Sequence, residues 1–111
     1  MKISSVKSVA KIKYLKSSKN KKSGKFITLV TAPFDNVPDI NYLLIVTKKV
    51  GNAVIRNRAK RRLRALIYEN RENMSPEIGY LFIAKNSIID SNTTDLKEDF
   101  LNLITNDKIT K

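Results

Sequence analysis

The chain has 111 residues, with 22 Lys plus Arg against 10 Asp plus Glu and no His, Cys or Trp, for a formal net charge of +12. Without Cys there is no disulfide framework, thiolate zinc site or thiol nucleophile, and without His there is neither an imidazole ligand nor the usual general base. The length suits a single domain over residues 1–111, with loose ends expected at 1–5 and 106–111, and its 41% hydrophobic content supports a modest core without covalent staples.

In chain order, the segment SSVKSVAKIKYLKSS sets Val6, Val9, Ala10 and Leu15 at mixed three- and four-residue spacings, which predicts an amphipathic helix behind a Ser cap. Residues 17–25, SSKNKKSGK, read as a polar basic loop or mobile arm. Residues 26–32, FITLVTA, are β-branched and aromatic and stop at a proline, so they read as a strand. After a proline-bearing loop over 33–40, residues 42–47, YLLIVT, give a second strand, and the short connection predicts an antiparallel pair.

Gly51 and Asn52 end that strand, and Asn52 is placed to cap a helix running to about Asn70. At about 100° per residue, Ile55, Ala59, Leu63, Leu66 and Ile67 form one apolar arc. Ala53, Asn57, Lys60, Arg61 and Arg64 gather opposite, with Arg56, Arg58 and Arg62 on the flanks, from which long side chains reach outward. Residues 78–84, IGYLFIA, supply a third strand. Leu96, Phe100, Leu103 and Ile104 define a terminal helix, for which Asp95 and Glu98 resemble a capping box. The order α-β-β-α-β-α predicts an α+β fold: a two-layer sandwich of helices on a small, mostly antiparallel sheet, with a further short strand possible.

Charge is divided unevenly along the chain. Residues 1–64 hold 17 of the 22 basic residues and only Asp35 and Asp39, a net of +15, whereas residues 65–111 are net −3. The densest run is KKVGNAVIRNRAKRRLR over residues 48–64, eight positive charges without an acid. Like charges at i,i+4 destabilise a helix by tenths of a kcal/mol per pair, so a polyanionic partner is expected to offset the repulsion. Five of the eight are Arg, whose planar fork binds phosphate bidentately and stacks on exposed bases.

Carboxylate chemistry is the enzyme reading left open, through Asp35 with Asp39, Glu69 with Glu72, or Asp95 with Glu98 or Asp99. Each has a plainer explanation in a loop, a helix end or a helical first turn. Three scattered glycines build no phosphate-cradling loop. No protein-borne catalytic residue is expected, and any metal site on the protein is unknown.

The run KKVGNAVIRNRAKRRLR resembles the signature of the protein subunit of bacterial ribonuclease P, an Arg-Asn-Arg core followed by Lys-Arg and a further Arg. The match falls on Arg56, Asn57, Arg58, Lys60, Arg61 and Arg64, preceded by Lys48, Lys49, Gly51, Asn52 and Ala53 at the family's spacing. The resemblance covers about residues 5–105 and implies the family's ribosomal protein S5 domain 2-like fold. It departs at Ala59, where the family carries a larger aliphatic residue, and in the first helix. There the family's aromatic pair falls on Lys11 or Ile12 and on Leu15, with Ser18 near its Gly.

The resemblance implies a subunit of a tRNA-processing endoribonuclease that leaves a 5′-phosphate. Its catalysis is carried by the RNA subunit with bound Mg²⁺, and the partners are that catalytic RNA and precursor tRNA. Lys48, Lys49, Asn52, Arg56, Asn57, Arg58, Lys60, Arg61 and Arg64 would contact the catalytic RNA, with the cations on phosphates and Asn57 on a base, a 2′-hydroxyl or a neighbouring backbone group. Lys13, Tyr14, Lys16 and Phe26 would meet the single-stranded 5′ leader in a cleft between the first helix and the sheet. The absence of a secretory signal and of any run of 18 apolar residues predicts a soluble intracellular protein without a membrane partner, and the resemblance implies a cytoplasmic location and no obligate protein partner. The alternative is a general structured-RNA-binding protein of ribosomal or assembly type. A major-groove DNA helix ranks lower, because strands separate the first helix from the basic one.

Overall fold

The computed structural model describes residues 2–34 and 39–109, with side chains described as far as residue 105. The elements run β1 (Ile3–Ser5), α1 (Val9–Lys16), β2 (Lys21–Ser23), β3 (Ile27–Pro33), β4 (Ile40–Ile45), α2 (Ala53–Glu69), β5 (Ile78–Ala84) and α3 (Thr93–Ile109). Short 3₁₀ turns occupy Arg71–Asn73 and Asn86–Asp90. The expected helices and strands are all present, and the fold is α+β. Among the described residues no helix is long and apolar enough to cross a membrane.

Two short strands lie in segments expected as a loose end and a loop, against the one further short strand that the sequence reading allows without a place. Ile3–Ser5, read as part of a loose end, pair parallel to β4, and Lys21–Ser23, read as loop or mobile arm, pair antiparallel to β3. Both are three-residue edge strands too short for a period-two pattern, and lysines on such an edge discourage further strand addition. At the other end, expected loose from residue 106, the backbone stays helical through Ile109; residues 110–111 lie outside the described part.

The sheet order is β1-β4-β5-β3-β2. The expected antiparallel pairing of the second and third long segments is therefore corrected: β3 and β4 do not touch, because β5 lies between them. β5 runs antiparallel to β3, pairing Leu29 with Phe82, and parallel to β4, pairing Leu43 with Leu81. With β1 parallel and β2 antiparallel, the sheet is mixed rather than mostly antiparallel. The reason is visible in composition. IGYLFIA is apolar throughout and buried at every position but Ile83, so it belongs where both faces are covered, and α2 supplies the crossover that a parallel neighbour requires.

The two sheet faces are covered unequally. Ile27, Leu29, Ile40, Tyr80, Phe82 and Ala84 pack under Ala59, Leu63, Leu66 and Ile67 of α2 and Leu96, Phe100, Leu103 and Ile104 of α3. Rings of Phe82 and Phe100 stack there at 5.1 Å. The expected two-layer arrangement describes this side. On the opposite face α1 is the one helix, and Val30, Ala32 and Leu81 are covered by its Leu15 and, partly, Ile12, together with Val6 and Phe34. Of the apolar set expected for α1, Val6 and Leu15 are buried, but Val9 is 68% exposed and Ala10 is exposed, so its inward stripe is narrower than the spacing implied.

Helix ends follow local chemistry. Asn52 caps α2 as expected, its side chain accepting from Ile55 N at 3.0 Å. For α3 the expected box is displaced by three residues: Asn92 Oδ1 accepts from Asp95 N at 2.7 Å, and Asn92 Nδ2 donates to Asp95 Oδ2 at 3.2 Å. Asp95 is thus the acidic partner inside the first turn rather than the cap.

Candidate nucleic-acid interface

α2 is held by its apolar arc, with Ala59, Leu63, Leu66 and Ile67 buried and Ile55 half-buried, so its opposite side must face solvent. Asn57, Arg58, Arg61 and Arg64 are exposed there, Lys60 and Arg56 half-buried, and Lys48 and Lys49 stand exposed in the turn that leads in. Asn52 combines exposure with its cap. The nine residues expected to meet RNA therefore lie on one helix and its N-terminal approach.

Arg62 does not reach outward as its flank position suggested. Its Nη1 and Nη2 donate to the carbonyls of Ile88 at 3.2 Å and Ser91 at 2.9 Å, tying the 3₁₀ turn to α2. Burial first, and the charge of Arg58 second, lower its guanidinium from the ordinary value, yet an Arg remains protonated. Arg56 Nε is buried without a hydrogen-bond partner, so its fork leaves from a covered stem. Beside Ala59 a shallow groove opens between Ile55, Arg58, Arg62, Ile88, Ile89 and Ser91, where the larger aliphatic side chain of the resembled signature would stand.

On the other sheet face, Lys13, Tyr14 and Lys16 are exposed along α1. Tyr14 Oη donates to Pro33 O at 3.0 Å, and its ring tilts against Phe34 at 6.0 Å. Lys11 Nζ lies 5.8 Å from the Phe34 ring centre. Leu43, Ile45 and Ile83 remain half-buried beside α1, so this side is an apolar floor with lysines along one rim. Phe26 is not part of it. It packs with the α2 and α3 core, its backbone N–H bonded to Asp99, which corrects its grouping with Tyr14: a bend before β3 turns it to the far face.

A family-wide comparison matches residues 2–107 to Ribonuclease P. The chain belongs to that family. The ribonuclease P protein component of Enterococcus faecalis is 34% identical over 64 residues, 58% of this chain and 54% of that protein. That of Lactobacillus delbrueckii subsp. bulgaricus is 40% identical over 60 residues, 53% of this chain and 50% of that protein. The chain thus spans about half the length of the relatives it matches. A mutant Staphylococcus aureus RNase P protein superposes with a TM-score of 0.83 at 19% identity, covering 94% of this chain and 87% of that one. The Thermotoga maritima RNase P protein gives 0.78 at 17%, covering 93% and 96%. These structures share the fold.

Within this ribonuclease P fold three of the candidate carboxylates hold structural hydrogen bonds, while Glu69, Glu72 and Glu98 are exposed. Asp99 accepts from Lys25 N at 2.8 Å and Phe26 N at 2.9 Å, Asp95 serves the α3 start, and Asp39 accepts from Ser4 Oγ at 3.0 Å. Asp35 lies outside the described residues. Two aromatic residues escaped the sequence reading. Phe34 is buried, and the alternation Val30, Ala32, Phe34 already pointed it to the α1 face. Tyr68 is 62% exposed near the end of α2, about 20° around the helix from Asn57 by the same angular count that located the cationic face.

Proposed function

We propose that this chain is the protein subunit of a cytoplasmic ribonuclease P holoenzyme, binding the catalytic RNA and the 5′ leader of precursor tRNA and assisting Mg²⁺-dependent removal of that leader. The observation that carries this reading is the face of α2: Arg58, Arg61 and Arg64 exposed around Asn57, with no acid between Lys48 and Arg64, in a chain of this family. The guanidiniums meet phosphates of a folded RNA and release its counterions, while Asn57 hydrogen-bonds a base edge or 2′-hydroxyl. On the opposite face Lys13 and Lys16 attract the leader backbone, and Tyr14 offers a ring edge above an apolar floor that tolerates any base.

The α2 face does not fit a divalent cation, since its donors are themselves cations, and among the described residues no three acidic side chains gather as ligands. Mg²⁺ is assigned to the RNA, where it would supply the activated water and stabilise the departing oxygen. The protein's share is positional: it holds leader and catalytic RNA on two faces of one sheet and replaces part of the diffuse counterion cloud.

The test is cleavage of a 5′-extended precursor tRNA at low Mg²⁺ by the protein, a bacterial ribonuclease P RNA, and both together, with Arg58→Ala/Arg61→Ala alongside. Efficient cutting at the mature 5′ end by the combination alone, weakened in the variant, supports the reading. Equal cutting with and without protein transfers the chain to general structured-RNA binding.

A further inference from the structure

Tyr68 stands four residues beyond Arg64, about 6 Å along the α2 axis, near the middle of the cationic arc. It is 62% exposed, whereas Tyr80 and all described Phe residues except the half-buried Phe26 are buried. Arg71, from the 3₁₀ turn after α2, folds back over it. The guanidinium carbon lies 4.3 Å from the ring centre, and Nη1 donates to Tyr68 O at 2.7 Å. The hydrogen bond serves a carbonyl in the last helical turn, and a cation there suits the helix dipole, which accounts for Arg71. It does not account for a large ring left open among arginines, where burial would have been the favourable use of its apolar area.

We propose that Tyr68, braced by Arg71, is a stacking platform for an unpaired nucleobase of the RNA that lies along α2. The inference rests on the reading of α2 as an RNA anchor and adds what that RNA presents: an unstacked base one helical turn beyond the phosphates met by Arg61 and Arg64. One side of the ring is held by a planar cation, which fixes the side chain before binding and leaves the remainder for a second planar group. Every base has a π-face, so the platform separates unpaired from paired RNA and does not read one base against another.

The chain contains no Trp, so Tyr68→Trp introduces a single indole, which can be excited selectively over the remaining tyrosines and keeps an aromatic ring. The probes are two RNA hairpins identical except for one bulged purine, titrated against the full chain, Tyr68→Trp, Tyr68→Leu and Arg71→Gln. The unmodified chain is expected to bind the bulged hairpin roughly tenfold more tightly, the scale of one base–aromatic stack. The bulge should selectively quench the indole emission of the Tyr68→Trp variant, Tyr68→Leu should bind both hairpins alike, and Arg71→Gln should keep only part of the preference. Equal binding of the two hairpins by the unmodified chain, or a preference that survives Tyr68→Leu, overturns the platform. Equal binding by the unmodified chain overturns the platform even if Tyr68→Leu folds poorly, and the bulge-dependent quenching of the Tyr68→Trp indole then ties any preference to this position. Failure of the underlying reading has a different signature: no gain in precursor cleavage when the protein joins ribonuclease P RNA, whatever the hairpins show.

Discussion

The ring of Phe34 occupies the space that a side chain at Gly79 would fill: a Cβ at Gly79 would stand 2.5 Å from Phe34 Cδ1. Gly79 lies in the middle of the sheet, and its missing side chain seats the ring against which Tyr14 and the Lys11 ammonium rest. The aromatic wall of the α1 groove is thus set by a residue on a different element, and this contact ties the groove to the core.

Gly79→Ala is accordingly expected to destabilise the fold by about 1–3 kcal/mol through overpacking. Chemical denaturation measures it. Unchanged stability would mean that Phe34 moves aside freely, and the account of the groove wall would fail.

Asp99 joins α3 to the turn before β3 by accepting two backbone N–H bonds, and Gly24 has no side chain to obstruct it. Asp99→Asn keeps the shape but turns one acceptor into a donor facing an N–H, with an expected loss of about 1–3 kcal/mol. Amide exchange at Lys25 and Phe26 should accelerate more than elsewhere in the sheet, and a uniform change across the sheet would contradict this local role.

Ala59 lines the groove between α2 and the Asn86–Asp90 turn. Ala59→Ile adds three apolar carbons there and should stabilise by about 1 kcal/mol, less than the roughly 2.4 kcal/mol that their full transfer would give at about 0.8 kcal/mol each, because a β-branched residue loses rotamers in a helix. A lower melting temperature would show that the groove cannot accept the side chain.

If the α2 face engages about six phosphates, the log of RNA affinity should fall with log salt at a slope of roughly −4 to −5. Arg61→Ala/Arg64→Ala should flatten the slope by between one and two. A slope near zero in the unmodified chain would remove the electrostatic account of this face.

Local pattern was enough to place the helices, the three long strands and the cationic face of α2. All depend on local periodicity: a helix of this length and amphipathicity must bury Leu63 and Ile67, and Arg61 and Arg64 then have only solvent to face. The Arg-Asn-Arg run was legible for the same reason, since its spacing and exposure are properties of one helix. What lay beyond local pattern was decided by contacts distant in the chain. Strand order was one such feature, because the β3–β4 connection is compatible with neighbours, yet β5 takes the centre where its continuous apolar run is covered on both faces. Phe26 and Tyr14 went to opposite faces because a bend before β3, held by Asp99 from 73 residues away, overrides alternation. Arg62 turned inward because carbonyls of the Asn86–Asp90 turn were there to receive it, and Tyr68 gained its brace because the chain after α2 turns back at Arg71. A helix or strand is specified by neighbours in sequence, whereas the partner of a long side chain is specified by whatever the folded chain brings within reach of it.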